Sequence, residues 1–185
     1  MRERMEVKVD SLSKQITKNN PDLITRPVGR RMYKKLIDKM DIIQEGEVVI
    51  LDFEKIKVID SSFIDEFIVK LLSDSVKTEQ FYLKLRKISD IAEINISSVI
   101  KSYAQVDKKI VVMTEDICLN NNFYIGELSS SEHDAINFIR INQRVSLEDL
   151  IAGTGMSEES AEKTLESLVD LRLVRVQDKY IYCAV

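Results

Sequence analysis

The sequence predicts an α/β protein: a mainly parallel four-stranded sheet with helices, followed by a small α+β unit. Three observations carry this. An almost unbroken apolar run, Val48-Val49-Ile50-Leu51-Asp52-Phe53, is followed by apolar residues at helical spacing. Strand-like and helix-like stretches then alternate, which implies parallel strands joined by right-handed crossovers. Beyond a polar stretch near residue 120 the pattern turns helical and ends in a hairpin. The expected boundaries are 1–116 for the first domain, 117–130 for a linker and 131–185 for the second domain.

The run at 48–53 is rich in Val and Ile and follows Gly46. A buried helix segment has the same composition, but length and the glycine favour a strand buried on both faces. After Asp60 the period changes. Phe63, Ile64, Phe67, Ile68, Leu71 and Leu72 recur at helical spacing, with Asp65, Glu66, Lys70 and Asp74 on the other side. Ser61 and Ser62 stand at the start of this helix. With Ser62 as N-cap, Asp65 three residues on completes a capping-box-like pair, and Ser61 shapes the loop. Asp52 and Asp60 belong to the same set of loop and cap residues, Asp52 closing the loop after its strand.

The flanking elements follow in order. Met5 to Val9 alternates apolar and charged, as a short edge strand with one wet face does, and Ser11 to Asn20 reads as loop. Thr25-Arg26-Pro27 opens a helix, Pro suiting its first turn. Val28, Met32, Leu36, Ile37 and Met40 form its apolar stripe. Arg26, Arg30, Arg31, Lys34, Lys35 and Lys39 form a basic face, either solvated or a docking surface for an acidic partner or an anion. Phe81 to Ile88 alternates and reads as a strand near the sheet edge. Asp90 then caps a helix, paired with Glu93, and Ile91, Ile94, Val99 and Tyr103 face the sheet. Lys109 to Met113 is the last strand.

Asn120-Asn121-Asn122 and Ser129-Ser130-Ser131 bracket Phe123-Tyr124-Ile125 in the linker. One helix spans Glu132 to Asn142, with Ile136 and Ile139 inward. A short helix is capped by Ser146, and Gly153-Thr154-Gly155 turns the chain. A third helix runs from its cap Ser157 to about Leu171, burying Ala161, Leu165, Leu168 and Val169. Leu173 to Val176 and Tyr180 to Tyr182 form a hairpin across Gln177-Asp178-Lys179.

Composition narrows the function classes. With 185 residues and 44% hydrophobic content, the chain holds one domain or two small ones and is not disordered. No apolar run approaches the roughly 20 residues that span a bilayer. The first residues lack an apolar signal region, so a cytoplasmic location and no membrane association are expected. Cys118 and Cys183 lie far apart without Cys or His neighbours, which suits reduced thiols. His133, the only histidine, sits between Glu132 and Asp134 and suits a first helical turn better than a zinc site or a triad. Glycine-rich phosphate loops are absent, so no cofactor is expected. Catalysis needs a nucleophile, a base and a pocket, and neither serine has a histidine at hand. Asp52 and Asp60 as an acid–base pair or magnesium ligands rank below their capping roles, so the chain is not expected to be an enzyme.

The segment VVILDFEKIKVIDSSFIDEF resembles the STAS domain, in which a strand leads through a loop to Asp-Ser-Ser or Asp-Ser-Thr at a helix start. In the anti-sigma-factor antagonists of that family a partner kinase phosphorylates the serine after this Asp. The resemblance places that role on Ser61, with Ser62 beside it as a second candidate phosphoacceptor. The family normally follows the pair with Gly, whereas Phe63 stands here. Ser62, Phe63, Asp65 and Glu66 instead match the S-F-x-D-E pattern of a divergent STAS-like family of unknown function, as does TRPVGRRM at 25–32. The resemblance covers about residues 1–116. Asp60, Asp65 and Glu66 would crowd a phosphate with like charge.

SLEDLIAGTGMSEESAEKTLESLVDLRLV resembles the winged helix-turn-helix family, over about residues 129–185. In that family the third helix enters the major groove and Lys or Arg contact phosphates. Here its outer side would carry Glu158, Glu159, Glu162, Glu166 and Asp170, with Lys163 the only base. Basic and acidic residues balance over 1–127, so the net charge of −4 belongs to 128–185. Such a face repels a DNA backbone. The combined expectation is a cytoplasmic, non-enzymatic regulator or adaptor of the partner-switch type. Its partner would be a protein, as an ATP-binding kinase of the anti-sigma type, or a second copy of the chain. Arg26, Arg30, Arg31, Lys34 and the Glu158, Glu159, Glu162, Glu166 set are its candidate partner surfaces. The alternative is a DNA-binding transcriptional regulator with a STAS-like sensor domain.

Overall fold

The computed structural model describes residues 4–17, 23–40, 46–73, 81–177 and 181–185. Asp74, residues 18–20 of the expected loop and the tip of the hairpin at 178–180 lie outside them. The chain forms two compact units, Met1–Gly126 and Glu127–Val185.

In the first unit, β1 (Arg4–Lys8), β2 (Glu47–Asp52), β3 (Phe81–Arg86) and β4 (Val112–Thr114) lie side by side in that order, all parallel. Each strand lies beside its predecessor, and the connections between them carry helices. These are α1 (Val9–Thr17), α2 (Arg26–Met40), α3 (Ser61–Ile64) with α4 (Lys70–Ser73), and α5 (Asp90–Ala104). A π-helical turn, Asp65–Val69, links α3 to α4. The core joins Val7, Val49, Leu51, Leu83, Leu85 and Val112 of the sheet to Leu12, Met32, Leu36, Phe63, Phe67 and Ile96 of the helices.

Several expectations for this unit change. The sheet has five strands, because β5 (Tyr124–Ile125) pairs antiparallel with β4. Thr114 N donates to Phe123 O as well, at 2.9 Å, so the aromatic segment placed in the linker belongs to the sheet. Val9 ends no strand. It opens α1 where a loop was expected, because Val9 and Leu12 form a buried stripe that the surrounding polar residues mask. Asp10 and Lys14, one turn apart at 3.1 Å, support that helix. β3 is central rather than near the edge, lying between β2 and β4. It alternates because its Tyr82, Lys84 and Arg86 side is only partly covered.

The cap of α5 is Ser89, which accepts from Ala92 N at 3.3 Å, and Asp90 is the first helical residue. The buried face is Ala92, Glu93, Ile96 and Ile100, while Ile91 and Ile94 are 63% and 57% exposed. Glu93 turns inward because its carboxylate accepts Leu119 N at 2.7 Å. Isoleucines on both sides of this helix make the stripe ambiguous in sequence.

The second unit runs α6 (Ser130–Asn142), β6 (Arg144–Val145), α7 (Leu147–Thr154), α8 (Glu158–Asp170), β7 (Val174–Gln177) and β8 (Ile181–Ala184). The strands form an antiparallel sheet in the order β6-β8-β7; β6 was not foreseen. Ser129 with Glu132 and Ser146 with Asp149 form capping boxes, and Ser157 caps α8. Gly153 lies within α7, and Gly155 ends that helix with φ 73°. Ala135, Ile136, Ile139, Leu150, Ala161, Leu165, Leu168 and Val174 are buried.

Among the described residues no helix is long and apolar enough to cross a membrane. Cys118 and Cys183 are free and buried.

Candidate functional site

Two chain crossings position the serine pair. Leu23 bridges to Ile59, with Leu23 N donating to Val58 O at 3.0 Å and Asp60 N to Leu23 O at 3.2 Å. Asp60 then serves both chains. Its Oδ1 accepts Phe63 N at 2.7 Å, and its Oδ2 accepts Thr25 N at 3.3 Å. Asp60 is therefore the N-cap of α3, and Ser61 and Ser62 are its first two helical residues. The expected Ser62 cap with Asp65 does not form, because Asp60 holds the Phe63 amide and also ties down the entry to α2. Ser61 is exposed and Ser62 is half-buried, while the next residues, Phe63 and Ile64, are fully buried.

One turn further on, α2 meets the π-helical turn. Gly29 makes the approach possible: a Cβ there would stand 2.9 Å from Glu66 Cβ and 3.2 Å from Phe63 O. Arg26 and Arg30 straddle this contact. Arg26 Nη1 donates to Asp65 Oδ2 at 2.7 Å and to Glu66 Oε1 at 3.2 Å. Arg30 Nη2 donates to Glu66 Oε1 at 2.8 Å. From α5, Tyr103 OH donates to the other Asp65 oxygen. Lys70 Nζ lies 4.8 Å from the centre of the Tyr33 ring and continues the seam.

The charges follow the geometry. The Arg30 hydrogen bond, helped by Arg26, outweighs burial and holds the Glu66 carboxyl at about 2. Arg26 is pushed up by its bond to Asp65, and Arg30 by its bond to Glu66. The Tyr103 phenol, donating to Asp65 and partly buried, is pushed up to about 12. The basic face expected on α2 is thus half committed within the unit. Arg26 and Arg30 are paired, Arg31 Nε donates to Pro27 O at 3.2 Å, and Lys34 is exposed.

A second charged group stands at the ends of β2 and β3. Asp52 accepts Glu54 N at 2.9 Å and Arg86 Nη2 at 2.9 Å. Arg86 also reaches Glu6 at 2.5 Å and Glu115 at 3.5 Å. Burial raises the Asp52 carboxyl, but the Glu54 amide and Arg86 outweigh it and leave it lowered. Asp52 closes its loop as the sequence implies, and Arg86 anchors it across the sheet. Among the described residues no set of His, Cys, Asp and Glu is placed to hold a metal ion.

Glu158, Glu159, Glu162 and Glu166 are all exposed on α8 in the second unit. Lys163 Nζ is paired to Glu159 at 2.6 Å. A polar cavity of about 440 Å³ in this unit is lined by residues including Ser129, Glu132, Ser157, Ser160, Lys163 and Ser167.

Gly29, Arg86 and Tyr103 were not among the site residues expected from the sequence, where Tyr103 counts only as facing the sheet and Gly29 only as part of TRPVGRRM. An isolated glycine inside a helical pattern signals close packing, so Gly29 was within reach. Tyr103 lies 38 residues from Asp65, and no local spacing joins them.

Residues 28–91 match the family model of the STAS-like domain of unknown function (DUF4325). The match begins within α2 and ends at the second residue of α5. It takes in Arg30, the serine pair, Asp65, Glu66 and Arg86, and leaves out Arg26, Tyr103 and the second unit. No curated protein and no solved structure matches the chain.

Proposed function

We propose that the chain is a non-enzymatic regulator or adaptor that acts through protein–protein contact, with Ser61 at the partner-facing end of its STAS-like part. The exposure of Ser61, one residue removed from the fully buried Phe63 and Ile64, carries this reading. A change at its hydroxyl alters the surface without entering the core. A phosphate there adds roughly −1.5 to −2 charges. The like charge of Asp65 and Glu66 is already offset by Arg26 and Arg30, so the crowding that the sequence suggests is reduced.

The partner this reading favours is an ATP-binding kinase of the anti-sigma type. It would move the γ-phosphoryl group of ATP to Ser61 Oγ, with ADP leaving and the hydroxyl proton released. Ser62, half-buried, is the second candidate. The second unit, in this proposal, is a winged helix whose acidic α8 meets a basic protein surface or a second copy. The cytoplasm is the compartment that suits both partners.

The test uses full-length Ser61→Asp and wild-type baits, with intact mass of the protein from its own cell. The proposal expects a protein that the wild type retains and Ser61→Asp releases, at unchanged stability. Identical retention by both baits overturns it. The order of helices, hairpin and three-stranded sheet in the second unit favours a second reading, a DNA-binding regulator. A tight, sequence-specific shift of duplex DNA at physiological salt would put that reading first.

A further inference from the structure

The helix after β2 carries two registers in one sequence. Phe63, Ile64, Phe67, Ile68, Leu71 and Leu72 lie at the spacing of an unbroken α-helix with one apolar stripe. The observed helix buries the first five of these fully, with Leu72 packed against the core, but passes through a π-helical turn, Asp65–Val69, that an unbroken α-helix lacks. Val69 is buried, at 3% exposure, and Leu72 is only half-buried. A π-turn holds one residue more than an α-turn, and such turns recur at functional sites. Removing it turns the two halves of the helix by about 100° and shifts them by about 1.5 Å along the axis. The upstream half is fixed by the Asp60 cap and by Phe63 and Ile64 in the core. The downstream half would move, turning Val69 outward and Leu72 inward and taking Lys70 off the Tyr33 ring.

The side chains that pin the turn come from two other helices. Asp65 and Glu66, its first residues, are gripped by Arg26 and Arg30 of α2 and by Tyr103 of α5. We infer that this grip selects the π register and that loosening it passes the helix to the α register. The helix is thus a two-state element, and the arginines set its balance. Arg26 and Arg30 keep half or more of their side-chain surface open, at 53% and 61% exposure. An oxyanion, whether a carboxylate of a partner or a phosphate nearby, can therefore compete for them. A signal at the serine end of the helix would then be read at Lys70–Ser73. This last link rests on the proposed function; the two registers do not.

Isotope-labelled full-length Arg26→Gln/Arg30→Gln protein tests the inference by nuclear magnetic resonance. The α register should rise from about a tenth or less of the population to about half or more. It should appear as a second set of peaks over Asp65–Leu72, in which Lys70 no longer sits over the Tyr33 ring. A second measurement ranks Val69→Asn against Leu72→Asn. Val69→Asn should be the more destabilising in the wild-type background, and the order should reverse in the double-arginine background. A single unchanged set of peaks with an unchanged ranking overturns the inference, and so does a double variant that fails to fold. Partner capture plays no part in these readouts, so their failure leaves the proposed function standing, and failure of the Ser61 baits leaves the two registers standing.

Discussion

Gly29 and Glu66 mark a close approach of α2 to the helix after β2, where an added methyl would stand 2.9 Å from Glu66 Cβ. Gly29→Ala sets two effects against each other. Alanine favours a helix over glycine by roughly 1 kcal/mol. The added carbon also meets the Phe63 carbonyl and the root of the Glu66 side chain, neither of which is a flexible tip. Overpacking of this kind costs about 1–3 kcal/mol. The expected net result is a loss of stability of about 1 kcal/mol in urea unfolding, with weakened Arg30–Glu66 pairing. A gain in stability would show that the helices separate freely here.

Asp60→Ala should destabilise the first unit by about 1 kcal/mol, because the cap on Phe63 N is removed. The Thr25 hydrogen bond goes with it, and Thr25 already holds φ 83°. Ser61→Ala and Ser62→Ala should each have a smaller effect than Asp60→Ala, since neither caps the helix. Equilibrium unfolding of the three variants checks the order.

This cap shows where the sequence stops being legible. Both D-x-x-F and S-x-x-D satisfy a local capping rule, and the residue that caps, Asp60, is the one that also binds Thr25 N, 35 residues away. The parallel order of the sheet was legible because β2 is a continuous apolar run that a buried strand requires. Helix α1 was not, since its buried stripe is brief and set among polar residues. The π-helical turn was hidden for the opposite reason: the apolar residues already fit an unbroken helix. In the second unit the caps Ser146 and Ser157 were plain because each precedes a helical pattern, whereas Ser129, expected in the linker, caps a helix that begins two residues before the expected Glu132. For the candidate site, Arg26, Asp65 and Glu66 were each noticed, but their pairing depends on the α2 crossover and on Tyr103 from α5.

Acid titration should expose the Glu66 pairing. Its carboxyl is lowered from 4.5 to about 2 in the folded chain. A depressed carboxyl stabilises the fold above its unfolded value and loses that contribution as pH falls through its folded value. Wild type should therefore exceed Glu66→Gln in stability near about pH 6. The gap should narrow from about pH 4.5 and close near pH 2. A gap that does not change with pH would place the effect of the substitution in packing.

Alkaline titration reports on the other side of the clamp. Tyr103 is raised from 10 to about 12 by its bond to Asp65. A raised phenol stabilises the fold below its unfolded value and loses that contribution as pH rises through its folded value. Phenolate absorbance should include a step near pH 12 that Tyr103→Phe removes. In Arg26→Gln the step should remain, because Asp65 rather than Arg26 is the chief cause.

The acidic helix α8 gives the sharpest functional prediction. Glu158, Glu159, Glu162 and Glu166 are all exposed, and Lys163 is held by Glu159. Glu158 and Glu159 have a local role, since carboxylates in the first turn favour the positive end of the helix dipole. Glu162 and Glu166 lie beyond that turn and owe nothing to it. DNA affinity rises with the number of phosphates that cations neutralise, so this face opposes a groove contact. Complementary charge guides a protein partner instead and fixes its register. Replacing all four with Gln should weaken partner or self-association, most strongly at low salt, where screening is least. Sedimentation of the chain at two ionic strengths measures the self-association arm, and binding to the captured partner measures the other. The variant should show no sequence-specific shift of duplex DNA. If four neutral residues instead leave every association intact at low salt, the acidic face is only a solvated surface, and the partner-facing role of the second unit falls.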